Sequence, residues 1–295
     1  MKPISKKTLR KPIFSFSLFA ICVILLSMEY MERKQRQTNP QPDGTQVETT
    51  APQVQQTDST TETESTLNNI TQLELPAYTN EAIIITHTGF TLAYNNEWHL
   101  PEWVAYELTA EETTGTVDRS DHFRPDPQSP LPQITTDDYR NSGYDRGHMA
   151  PAADMKWSTE AMNESFYMTN ICPQNHNLNA GDWKELEELC RQWATEYEKI
   201  YIVCGPIVGS DSQHIGANQV TVPHAFFKAI LAYNNQTPQT IGFLFANKAG
   251  NRPLQNYAMN VDDLETVIGI NLFHHLPDYI EDKIEQTTQI NQWTW

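Results

Sequence analysis

"SGYDRGHMAP", residues 142–151, places an acid, a guanidinium and an imidazole at Asp145, Arg146 and His148, among residues that bend the main chain. Gly143 and Gly147 allow a tight approach of backbone, and Pro151 closes the stretch by restricting Ala150 before it. His148 is therefore a base, a metal ligand or a packed side chain. An imidazole with an ordinary pKa of about 6.5 is partly neutral at working pH, which suits a base.

Downstream lies the polar run "TNICPQNHNLN", residues 169–179, and then "DWKELEELCRQWATEYEK", residues 182–199. In the second stretch Leu186, Leu189, Cys190, Trp193 and Tyr197 recur at steps of three and four, which predicts an amphipathic helix. Asp182 is placed to cap its first turn, with Glu185 completing a box-like pair. Glu187 and Arg191 are four apart on that helix and share the face of Trp183. Their bland reading is an exposed ion pair; that of Trp183 and Trp193 is core.

Together these stretches hold what phosphodiester hydrolysis needs: a base for water, a hard cation, groups to hold the cation's water shell, and a guanidinium for charge growing on phosphorus. Mg²⁺ prefers oxygen and keeps several waters, so one amide oxygen from Asn170, Asn175, Asn177 or Asn179 is a sufficient protein ligand. The residues alone leave those four open.

Around the motif, strand-like segments fall at 82–87, 90–95, 103–109, 166–171, 200–205, 224–233 and 240–246, rich in β-branched and aromatic residues. The short spacing of the first two and of the last two favours antiparallel pairing. Further helices are expected from Ser158 to about Phe166 and in the C-terminal stretch, broken there by Pro277. The fold class is mixed α+β with a central antiparallel sheet.

The chain is 295 residues long with a formal charge of -17. Residues 1–75 hold eight basic and eight acidic side chains, so the whole excess, twelve basic against twenty-nine acidic, sits in the globular part. Such a domain repels nucleic acid at long range, so a polyanion must be held by a local basic cluster, by metal ions, or by both. Arg146, Arg191 and Lys184 are the candidate cluster.

Residues 1–34 read as a signal peptide or signal anchor. Lys2, Lys6, Lys7, Arg10 and Lys11 precede the apolar run "IFSFSLFAICVILLSM" at 13–28, and no A-x-A-like cleavage site follows. Engagement with membrane or export machinery is expected, with the remainder periplasmic or extracellular, tethered if the segment stays uncleaved. Residues 35–75 have the composition of a disordered polar linker. Cys172, Cys190 and Cys204 are an odd set without a C-x-x-C pair, and buried free thiols are the preferred reading.

"GYDRGHMAPAADM" followed by "YMTNICPQNHNLNAGDWKELEELCR" resembles the DNA/RNA non-specific endonucleases, the ββα-metal (His-Me finger) nucleases that include mitochondrial endonuclease G. The likeness runs from about Ala77 to the C-terminus, so residues 76–295 are expected to be one nuclease domain. It implies His148 as the general base, Asn179 as the direct protein ligand of Mg²⁺ (Mn²⁺ or another divalent cation being alternatives), and Glu187 on the metal's waters. It further implies that Asn170 positions His148, and that Arg146 and Arg191 bind phosphate. An additional family arginine corresponds to Arg119 or Arg124, between which the sequence does not choose. DNA and RNA are the implied substrates, cut with little sequence preference to 5′-phosphate ends with a metal-bound water assisting the leaving group. A homodimer is compatible with the likeness. The rival expectations are a metal phosphodiesterase for smaller phosphodiesters near the membrane, and a non-catalytic nucleic-acid-binding module. His176 is given a packing or surface role rather than a ligand role.

Overall fold

A computed structural model describes residues 70–79, 81–233, 238–287 and 290–295. The apolar segment at 13–28 and the linker up to residue 69 lie outside the described residues.

Eleven strands are described: β1 (Ile83–Thr86), β2 (Thr91–Asn95), β3 (Leu100–Thr109), β4 (Asp145–His148), β5 (Ile171–Gln174), β6 (Lys199–Ile207), β7 (His214–Ile215), β8 (Val220–Thr221), β9 (Ala225–Ala232), β10 (Gln239–Ala246) and β11 (Ala258–Met259). The helices are α1 (Thr159–Glu164), α2 (His176–Ala180), α3 (Asp182–Glu196), α4 (Val261–Ile268) and α5 (Asp278–Glu285). Seven strands form one antiparallel sheet in the order β1-β2-β3-β6-β9-β10-β11, as the mixed α+β expectation requires.

Both faces of this sheet are covered, which is why its central strands read as almost unbroken apolar runs rather than as an alternation with polar residues. Alternate residues still separate cleanly. Val104, Tyr106 and Leu108 of β3, Ile200, Ile202 and Cys204 of β6, and Phe226 and Ile230 of β9 face a core shared with Trp183, Leu186, Cys190 and Trp193 of α3. Trp103, Ala105, Tyr201, Val203, Phe227, Ala229 and Leu231 face the other way, onto Val261 and Leu264 of α4 and Ile280 and Ile284 of α5. Leu73 and Leu75, which composition placed in the linker, are buried in this second core.

Between β3 and β6, residues 110–198 carry a separate two-stranded antiparallel pair, β4-β5, and helices α1 to α3. The D-R-G-H stretch is thus a strand and not only a bend. Its register sets Asp145 opposite Gln174, Arg146 opposite Pro173, Gly147 opposite Cys172 and His148 opposite Ile171. Gly147 is required here: a Cβ would lie 2.1 Å from Oε1 of the buried Gln174 and 2.7 Å from its Cβ. Gly143 supplies the turn before the strand with φ +84.

Two local expectations are corrected. Residues 166–171 are not a strand: Met168–Asn170 form a 3-10 turn, and β5 begins only at Ile171. The Asn170 side chain bonds the backbone of Ala150 and of Ser165, and this bends the segment away from an extended path. Asp182 does not cap α3 either. Its carboxylate accepts instead from the Asn251 amide at 3.1 Å and from the Tyr257 hydroxyl at 2.5 Å, tying the start of the helix to a distant loop.

Candidate active site

Residues on β4, α2 and the segment before β4 line a cavity of about 490 Å³, among them Phe123, Arg140, Tyr144, Asp145, Arg146 and Asn179. Of the site residues expected from sequence, Arg146 and Asn179 therefore meet at one cavity wall. Arg146 stacks its guanidinium over the Phe123 ring at 4.2 Å.

His148 stands behind the same ring. Its imidazole lies 5.4 Å from Phe123 and meets Phe166 edge-on at 4.9 Å, centroid to centroid. It is 9% exposed, and Nε2 is buried with no hydrogen-bond partner. Burial first, then the charge of Arg119, and Arg146 against the opposing pull of Asp121, hold its pKa down to about 3. The ring is a neutral imidazole with an unclaimed lone pair or N–H. An unpaired buried polar atom is costly in a packed interior, so this one points to a partner outside the chain.

Asn170 is fully engaged with backbone. Its Oδ1 accepts from the Ala150 amide at 2.9 Å, and its Nδ2 donates to the carbonyls of Ala150 at 2.8 Å and of Ser165 at 2.9 Å. It clamps the chain two residues beyond His148, and all three bonds are buried.

Asn179 is oriented by Asp145. Its Nδ2 donates to Asp145 Oδ2 at 2.9 Å, and His176 Nδ1 meets the same oxygen at 2.9 Å. A carboxylate can only accept from the NH₂ side, so the amide is fixed with its carbonyl oxygen as the remaining hard donor at the cavity. That donor chemistry fits a divalent cation of the Mg²⁺ class. His176 is thereby a partner of Asp145.

Glu187 and Arg191 do not pair as the helix spacing suggested. Arg191 Nη1 bonds Asp154 Oδ1 at 2.7 Å, while the Tyr106 hydroxyl donates to Asp154 Oδ2 at 2.9 Å. Lys228 of β9 is completely buried, its Nζ lying 4.5 Å above the Trp183 ring without a hydrogen-bond acceptor. Burial pushes the Glu187 carboxyl up to about 7, opposed by Lys228 and Arg191 and reinforced by Asp154. Burial likewise raises Asp154, against Arg191. Burial works against the charge of Lys228, but Cys204, Cys190, Glu187 and Asp154 outweigh it and leave its pKa raised. Acid and base thus hold one another in a buried network under α3.

This network was missed by sequence reasoning. Asp154 lay inside the quoted motif without a role, and Lys228 stood as a single cation in the apolar strand "HAFFKAILAY", an anomaly at a position whose alternation faces α3. Of the expected basic cluster, only Arg146 lines the cavity; Lys184 pairs with Glu188 at 3.5 Å and Arg191 with Asp154. Arg119 lies 4.9 Å over the Phe166 ring that abuts His148 and pairs at the surface with Asp121 at 2.5 Å, whereas Arg124 stacks on Tyr167 at 4.4 Å. Cys172, Cys190 and Cys204 are free and buried.

An antiparallel strand pair that runs into helices, with an imidazole on the first strand and an asparagine after the second, defines the ββα-metal nuclease class. Residues 68–279 match the family described as DNA/RNA non-specific endonuclease. The chain belongs to that family. It is 37% identical over 207 residues to "Nuclease EXOG, mitochondrial" of Xenopus laevis, covering 64% of this chain and 58% of that protein. It is 32% identical over 219 residues to "Nuclease" of Nostoc sp., covering 70% of this chain and 79% of that one. The matched stretch spans little more than half the length of the vertebrate relatives. A solved chain from the EndoG/EndoGI complex superposes with a TM-score of 0.65 at 27% identity, covering 72% of this chain and 93% of its own.

Proposed function

We propose that this protein is a metal-dependent endonuclease that hydrolyses phosphodiester bonds of DNA and RNA with little sequence preference. The observation that carries the reading is the unpartnered Nε2 of His148, buried beside two arginines and one ring away from the cavity that Arg146 and Asn179 line.

Arg146 and Arg119 would anchor the scissile phosphate. Phosphate binding also neutralises the two cations that depress His148, so its basicity rises when substrate is in place. Neutral His148 would then take the proton of the attacking water at Nε2, while Asn170 keeps the backbone beyond it in register. Asn179, steadied by Asp145, would hold a divalent cation such as Mg²⁺ or Mn²⁺, with Glu187 oriented toward the cation's waters. When bound, that ion supplies neutralisation of phosphate charge and an acidic water for the departing 3′ oxygen. The ends left are 5′-phosphates. Arg191 would act through Asp154 as much as on phosphate.

Plasmid and RNA degradation with Mg²⁺, with chelator and in His148→Ala tests the reading. Loss of about a hundredfold or more is expected for the variant, and full activity would sink the mechanism. Asn179→Ala should shift or abolish the Mg²⁺ titration; an unchanged titration excludes it as ligand. Arg119→Ala is expected to lower activity more than Arg124→Ala.

A second reading draws on the charge of -17 and the cavity of about 490 Å³: a smaller phosphodiester as substrate. Faster turnover of bis(p-nitrophenyl) phosphate than of plasmid would favour it. The basic and apolar N-terminus supports passage across a membrane into the periplasm or outside the cell, checked by fractionating cells that express the full chain. Among the described residues no helix is long and apolar enough to cross a membrane.

A further inference from the structure

On the opposite face of the sheet from His148, α4 and α5 pack side by side over β10 and bring three carboxylates together. Asp262 and Glu265 lie one turn apart on α4, and Glu285 is the last residue of α5. Among the described residues, these form the one group of three or more His, Cys, Asp or Glu side chains whose ligand atoms all lie within 4.8 Å of one another.

A gathering of acids on a surface is ordinarily just solvated charge. Glu285 is different: it is 2% exposed, and its Oε1 has no hydrogen-bond partner. A buried carboxyl with an idle oxygen faces two more carboxyls, and the neighbours that act on it most strongly are all acidic. Burial, and then Glu265, Glu281, Asp262 and Asp282, push its pKa up to about 10. Burial lifts Glu265 to about 7, although the Leu272 amide bonds its Oε1. Asp262 and Glu265 are only half-buried, which leaves the group open to solvent on one side.

We propose that Asp262, Glu265 and Glu285 form a second cation site, separate from the Asn179 cavity, that takes an ion of the Ca²⁺ class. Oxygen atoms within 4.8 Å of one another can share an ion whose bonds are about 2.3–2.6 Å long. Three carboxyl oxygens that ionise as a cation binds, two of them on half-buried side chains that leave water access to the ion, suit Ca²⁺, which accepts six to eight ligands in flexible geometry; Mg²⁺ demands a regular octahedron. Bound there, the ion displaces the shared protons and joins the C-terminal helix to α4.

The test uses the full chain carrying Asn179→Ala, so that metal at the nuclease cavity is not counted. Ca²⁺ bound per chain is measured by equilibrium dialysis, and thermal unfolding is followed with Ca²⁺ and with EGTA. Ca²⁺ should bind and raise the melting temperature, and adding Glu285→Gln should remove one equivalent and abolish the rise. In EGTA the Glu285→Gln chain should melt at or near its parent, since a neutral amide replaces a carboxyl that burial and its acidic neighbours keep protonated; this separates lost binding from lost folding. Unaltered Ca²⁺ stoichiometry in Glu285→Gln overturns the proposal. So does a parent that neither binds Ca²⁺ nor gains stability from it, which would mean that the three carboxyls share protons instead. Failure of Asn179→Ala to affect nuclease activity would leave this outcome untouched, because the reading is the loss of one equivalent on changing Glu285.

Discussion

His148 is neutral in the folded chain down to about pH 3, whereas an exposed histidine takes up its proton near 6.5. A depressed native pKa contributes stability that is complete above the unfolded value and is lost as pH falls from about 6.5 toward 3, at roughly 1.4 kcal/mol per unit. His148→Gln keeps a neutral polar group and removes that titration. Its unfolding free energy should therefore depend less on pH than the wild type between about 6.5 and 4 in urea titrations. Parallel curves would show that the imidazole is not held neutral. Lys228 makes a second case at this scale. Lys228→Met removes a cation that lowers the Glu187 carboxyl, so the acid limb of the pH–rate profile should move upward by about one unit. An unmoved limb would mean that the two groups are not coupled in catalysis.

At the scale of elements, the β4-β5 pair sets how closely the imidazole strand approaches its neighbour. Gly147→Ala forces a methyl to within 2.7 Å of Cβ and 2.8 Å of Cδ of the fully buried Gln174 side chain. The expected cost is about 1–3 kcal/mol of stability together with a larger fall in activity than in substrate binding, read from melting temperature and from kcat against KM. A variant as stable and active as the wild type would show that the strands can separate without consequence. This element was the hardest to see in the sequence. Four residues containing a glycine and two charges carry no alternation signal, and the strand is evident only from what pairs with it. The long strands of the large sheet were legible because their β-branched and aromatic runs are bounded by turns and are not diverted by a side chain that bonds the backbone. The turn at Met168–Asn170 was not, since its cause is a side chain that bonds backbone twenty residues away. In the same way His148, Arg146 and Asn179 were readable as chemistry from residue type and spacing. The linkage of Arg191 to Asp154 and the place of Lys228 depended on tertiary contact between β9 and α3, which no local pattern encodes.

For the whole molecule, charge is the governing quantity. The chain carries -17, and the arginines nearest His148 are Arg119 and Arg146 by their effect on its titration. With so few phosphate contacts, the logarithm of affinity for duplex DNA should fall against the logarithm of salt with a slope of only about -2. Fluorescence anisotropy with the His148→Ala chain would measure it, and a slope near -8 would reveal a basic surface that these two arginines do not account for. Topology has its own outcome. Every element around His148 belongs to the excursion between β3 and β6, two strands that are neighbours in the sheet although Val104 pairs with Cys204 a hundred residues later. Closing so long a loop is slow relative to local pairing, and the excursion has little to pack on until the sheet exists. A nascent chain would thus carry the complete motif before it can form the site, which assembles only once its two flanking strands have met.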